Sequence, residues 1–100
     1  MNSLSARALV VMMGEWRAAG SNAAYLAVAD RIRLLIMDGR ILTSTRLPAE
    51  RELALALGVS RTTVTAAYSA LREGGYVEST RGSGSVAQLP HRASLIPDPA

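Results

Sequence analysis

Ser60, Arg61, Thr62 and Thr63 stand in an unbroken row directly after Gly58-Val59. At the start of a helix such a row supplies a guanidinium able to make paired hydrogen bonds to guanine O6 and N7. Its hydroxyls and free amides can hold phosphate. At about 100° per residue, Thr62, Thr65, Ala66 and Ser69 fall on one flank of that helix, and Val64, Ala67, Tyr68 and Leu71 on the other. The first flank is slim and polar enough to enter a groove about 12 Å wide, where Ala66 could meet a thymine methyl group. The second flank packs. Arg51, one helix earlier, is placed to meet a phosphate backbone and fix the angle of entry. Arg81, followed by Gly82-Ser83-Gly84, puts a cation on a segment whose backbone can approach a minor groove closely.

These groups need elements to hold them. Leu9, Met12, Met13 and Trp16 recur at helical spacing between Leu4 and about Arg17, predicting an amphipathic helix. Ala19-Gly20-Ser21-Asn22 breaks the pattern, with Ser21 or Asn22 able to cap the next helix. Tyr25, Val28, Ala29, Ile32, Leu35 and Ile36 form the core stripe of that second helix, which Gly39 ends. Thr43 to Pro48 reads as a loop with a very short strand. Glu50 and Glu52 then open a third helix, where carboxylates suit the positive end of the dipole. Leu53, Ala54 and Leu57 give its buried face, and Gly58 its left-handed stop. Ser60 caps a fourth helix running to about Glu73, which Gly74-Gly75 terminates. Tyr76 to Thr80 and Ser85 to Ala87 read as a hairpin with a glycine-rich tip at Arg81 to Gly84.

Two helices joined by Gly58-Val59-Ser60 are the spacing of a helix-turn-helix. With the hairpin, the expected fold is mainly α with a small β-hairpin. It is a winged helix-turn-helix of a three-helix core plus wing, with an additional N-terminal helix. The expected division is an amphipathic extension over 1–20, the winged domain over 21–88 and the start of a linker over 89–100, where Pro90, Pro97 and Pro99 punctuate a stretch without periodicity.

Composition narrows the function classes. The chain has 100 residues, a net charge of +3 and no cysteine, and all eleven of its basic residues are arginine. A basic balance favours a polyanionic partner. Without cysteine there are neither disulfides nor thiolate metal sites, and His91, the sole histidine, cannot build a metal centre alone. No nucleophile–base pair or phosphate loop is legible, so no catalytic residue is assigned and the chain is expected not to be an enzyme. The apolar run Leu9 to Met13 is too short for a secretion signal, and no stretch is long enough to span a bilayer. A cytoplasmic location is expected.

The run Leu47-Pro48-Ala49-Glu50-Arg51-Glu52-Leu53-Ala54, with Gly58 to Val64, Ala67 to Leu71, Gly74-Gly75-Tyr76-Val77 and Arg81 to Ser85, resembles the N-terminal domain of the GntR family of bacterial transcription regulators. The resemblance covers roughly residues 24 to 88. It implies that Arg51 contacts phosphate, that Arg61, Thr62 and Thr63 contact bases and phosphates, that Thr65 meets DNA, and that Arg81 and Gly82 enter the minor groove. Ser60, Ala66 and Ser69 complete the expected surface on duplex DNA. The spelling Ser60-Arg61-Thr62-Thr63-Val64 with Ala67-Tyr68 and Arg81-Gly82-Ser83-Gly84 is most similar to the MocR subfamily. Its members join this domain to an aminotransferase-like domain that binds pyridoxal phosphate. That resemblance implies a longer homodimeric parent carrying the cofactor, with none in these residues. Ala49 stands where the family commonly has serine, which weakens helix capping.

Two other functions compete. The domain could serve protein contact, with Leu9, Met12, Met13 and Trp16 as its interface, or it could anchor an aminotransferase-like enzyme to DNA. The partner of that apolar face is open at this point: its own domain, a second copy, or the missing domain.

Overall fold

The computed structural model describes residues 2–17, 23–80 and 84–90. Among the described residues four helices precede a hairpin: α1 (Ala6–Met13), α2 (Ala24–Met37), α3 (Glu50–Leu57), α4 (Arg61–Gly74), β1 (Val77–Thr80) and β2 (Gly84–Ala87). The two strands are antiparallel, with Val77 opposite Ala87 and Thr80 opposite Gly84.

Local capping explains the start of α1, where the Ser5 hydroxyl accepts from the Ala8 N–H at 3.1 Å. Its end corrects the sequence reading. The helix stops at Met13 rather than near Arg17, because Gly14 adopts φ 57° and ψ −129°, which turns the chain out of the helix. That turn brings Trp16 back against the protein, with the Arg17 guanidinium 4.9 Å above its ring. Leu9, Met13 and Trp16 are all buried in one cluster with α2, α3 and α4, and Met12 is packed against its edge. The face expected as a candidate interface is therefore closed by its own domain. Burying a large apolar side chain is worth about 1.5–3 kcal/mol, so no second chain is needed to cover this one.

Helix α2 buries Val28, Ala29, Ile32, Leu35 and Ile36, the predicted stripe from which only Tyr25 departs by staying half-buried. The expected caps Ser21 and Asn22 lie outside the described residues. Leu53, Ala54 and Leu57 from α3 meet Val64, Ala67, Tyr68 and Leu71 from α4 in the same cluster.

The short strand expected between Thr43 and Pro48 is present at Arg46, which bridges antiparallel to Val86. Beyond it the N-terminus adds a parallel edge the sequence did not announce. The Leu4 N–H donates to the Arg46 carbonyl at 2.8 Å, and the Arg46 N–H to that of Asn2 at 2.8 Å. On the other side the Leu47 N–H donates to the Ser85 carbonyl at 2.8 Å and, at the base of the hairpin, the Ala87 N–H donates to the Thr45 carbonyl at 2.8 Å, which ties β2 to the segment leading into α3. The wing is thus held by backbone bonds at its root.

Candidate nucleic-acid interface

The angle between α3 and α4 is set by three residues. Gly58 sits at φ 75° and ψ 32°, in the left-handed region that glycine enters freely. Its N–H bonds the Ala54 carbonyl at 2.9 Å and that of Val59 follows to the same oxygen at 3.1 Å, which closes α3. Ser60 is then extended, at φ −73° and ψ 154°, and its hydroxyl accepts from the Thr63 N–H at 3.2 Å to start α4. Thr63 also shares a hydroxyl–hydroxyl bond with Ser60 at 2.9 Å. The pair Ser60 and Thr63 therefore builds the first turn, and the N–H groups of Arg61 and Thr62 have no partner within the helix.

A second lock joins α4 to the entrance of α3. The Tyr68 phenol, 1% exposed, donates to the Pro48 carbonyl at 2.7 Å. Burial, and after it the Glu50 carboxylate, push that phenol well above the ordinary tyrosine value, so it remains a neutral donor. One turn earlier on the same edge, the Thr65 hydroxyl donates to Glu50 Oε1 at 2.7 Å. These bonds hold the Pro48 backbone and the Glu50 side chain against α4, where an alanine N-cap at position 49 makes no side-chain hydrogen bond of its own.

The structure distributes the expected site residues unevenly. Arg51, Ser60, Arg61 and Thr62 are exposed, while Thr63, Ala66 and Ser69 are half-buried beside them. Thr65 departs from the expected free flank. It lies about 60° around the helix from Tyr68, close enough to that packed edge for its hydroxyl proton to be committed to Glu50. Arg81 and Gly82 lie outside the described residues.

Two residues not assigned to the site now join it. Arg72 donates to the hydroxyls of Ser69 and Ser79, each at 3.3 Å, and so bridges α4 and β1. Glu50 stands with Oε1 4.0 Å from Arg61 Nε. Neither role had a local signal, because Glu50 acts on Thr65 and Arg61 of the next helix and Arg72 reaches Ser79 in β1 as well as Ser69 in its own helix. A cleft of about 440 Å³ opens between the N-terminal segment, the hairpin and α3. Its lining sets Arg46 against both Glu50 and Glu52, an acidic balance that does not suit phosphate.

Among the described residues no three histidine, cysteine or carboxylate side chains cluster as metal ligands, and no helix is long and apolar enough to cross a membrane. The surface that remains is a slim helix flank with a cation at its amino end, beside a rooted hairpin.

Known proteins share this arrangement. The profile of bacterial regulatory proteins of the gntR family matches residues 24–86. Over 62 residues the chain is 48% identical to the probable rhizopine catabolism regulatory protein MocR of Rhizobium meliloti, covering 61% of this chain and 13% of that protein. Among solved structures, YtrA from Sulfolobus acidocaldarius, a GntR-family transcription factor, superposes with a TM-score of 0.67 at 29% identity, covering 79% of this chain and 83% of that one. The DNA-binding domain of AraR, solved in complex with operator ORX1, superposes with a TM-score of 0.62 at 33% identity, covering 67% of this chain and 81% of that one.

Proposed function

The chain belongs to the gntR family of bacterial regulatory proteins, and from that premise we propose that it binds duplex DNA sequence-specifically as the reading domain of a transcription regulator. The observation that carries this is the flank of α4: Arg61 and Thr62 exposed at its amino end, with every large apolar side chain of the helix turned the other way. Arg61 reads a base edge, with guanine O6 and N7 as the matching acceptors. Thr62 and the free amides of the first turn take phosphate, and Ser60 and Thr63 hold that turn in shape. Arg51 contacts the backbone across the groove. Ala66 and Ser69 face the bases further along, and Arg81 with Gly82 forms the minor-groove contact of the wing. Thr65 acts from behind this surface.

The chain spans 13% of the length of MocR, so the whole protein is a larger matter. In our reading the parent is a cytoplasmic homodimer on two half-sites about 34 Å apart or a multiple of that. Its remaining part carries an aminotransferase-like domain with pyridoxal phosphate, a reading supported by the identity to MocR and by the subfamily spelling of residues 60–64. These 100 residues contain no lysine, the residue type that holds this cofactor as a Schiff base, so they do not form its site.

Titration of duplexes selected from a randomised library tests the function. The affinity for selected duplex should fall steeply as salt rises, because phosphate contacts release counterions. It should also exceed that for unselected duplex. A salt-insensitive affinity, or equal binding to both duplex pools, overturns the reading.

A further inference from the structure

We propose that Glu50 is a positioning residue for the reading arginine: anchored by Thr65, its carboxylate orients the Arg61 guanidinium and thereby sets base preference at the position Arg61 reads. This rests on Arg61 reading a base, as proposed above.

The geometry is a three-residue relay between two helices. Thr65 donates to Glu50 Oε1 at 2.7 Å, the length of a bond to a charged acceptor, and the same oxygen lies 4.0 Å from Arg61 Nε. The first contact is a hydrogen bond; the second is too long for one and acts through charge. Glu50 is therefore fixed by the protein, whereas Arg61 is only guided by Glu50. Exposure fits that division, with the Glu50 side chain 26% exposed and that of Arg61 69% exposed. Because the contact is made at Nε, the terminal nitrogens of the guanidinium stay free for a base edge.

Elementary electrostatics explains why an anion belongs here. A cation at the amino end of α4 is opposed by the helix dipole, and left alone a long, exposed arginine samples many rotamers. A fixed carboxylate offsets the first effect and narrows the second. On a surface meant for phosphate it also exacts repulsion, so its removal has two effects of opposite sign. Discrimination among bases falls, while affinity for arbitrary duplex stays level or rises. A residue that merely stabilises the start of α3 would lower all binding together.

The experiment uses the 100-residue chain with a selected duplex, its single-base-pair variants and random duplex, plus thermal melting. Arg61→Ala first identifies the base pair that Arg61 reads, by a loss of preference of roughly 10-fold or more there. Glu50→Ala should reduce preference at that same base pair by roughly 5-fold, change no other position, and leave random-duplex affinity equal or higher. Glu50→Gln, which keeps an acceptor for Thr65 but not the charge, should shift preference in the same direction. Thr65→Val should do so too, and it carries the test if the Glu50 variants do not fold. In the Arg61→Ala background, Glu50→Ala should add nothing. A uniform loss over all duplexes, a lowered melting temperature with base preference intact, or additive effects of the two alanines overturns the proposal. If Arg61→Ala relaxes no position, the reading of Arg61 fails and this inference falls with it, an outcome distinct from the other three.

Discussion

Helix α1 turns Leu9 and Met13, with Trp16 just beyond it, into the core shared with α2, α3 and α4, whereas α4 divides itself between that core and solvent. Both helices are amphipathic, and in both one face has no partner within its own sequence neighbourhood. The apolar face of α1 found its cover inside the domain. The outward flank of α4, carrying Arg61 and Thr62, was not drawn in, because burying a guanidinium without a full set of partners is far costlier than leaving it in water. The contrast separates stability from recognition: α1 supplies contacts that hold the scaffold, and α4 offers groups whose partner is another molecule.

The largest effect that would break this division is expected at Trp16. Trp16→Ala should destabilise the domain by about 3–5 kcal/mol, the usual cost of removing a buried tryptophan, seen as a lower midpoint in urea. Molecules that stay folded should keep their duplex affinity. If instead stability held and self-association fell, α1 would be an interface after all. Arg61→Ala is the opposite case. It should cost about 1–3 kcal/mol of specific binding in duplex titrations and leave the urea midpoint in place, since the side chain is exposed.

A smaller effect tests the seam between the two roles. Tyr68→Phe leaves the buried Pro48 carbonyl without its donor and should cost about 1 kcal/mol of stability. It also carries a pH signature. The phenol's value is raised in the folded protein, so the folded state keeps a proton that the unfolded chain loses near pH 10. Its contribution to stability is complete below about pH 10 and declines as the pH rises beyond that. Denaturation followed from pH 8 upward should show that alkaline decline in the wild type and a shallower one in Tyr68→Phe. Identical slopes would mean that the phenol is not held neutral by the fold.

What could be read along the chain was whatever a few neighbouring residues decide. Gly58, Ser60 and Gly75 end or begin helices through their own backbone freedom or their own hydroxyl, and the stripes of α2, α3 and α4 repeat within a single element. The end of α1 was equally local in cause but missed, since Gly14 interrupts an apolar pattern that continues to Trp16 in sequence though not in helix. The gntR-type helix-turn-helix and the polar flank of α4 were therefore determined by the sequence itself. Tertiary structure alone decided which surface covers Leu9, Met13 and Trp16, that Asn2 to Leu4 pairs with Arg46, and that Glu50 stands between Thr65 and Arg61. Each of these joins residues from different elements, 15 apart for Glu50 and Thr65, and a periodic pattern names the face that must be covered or paired without naming what covers it.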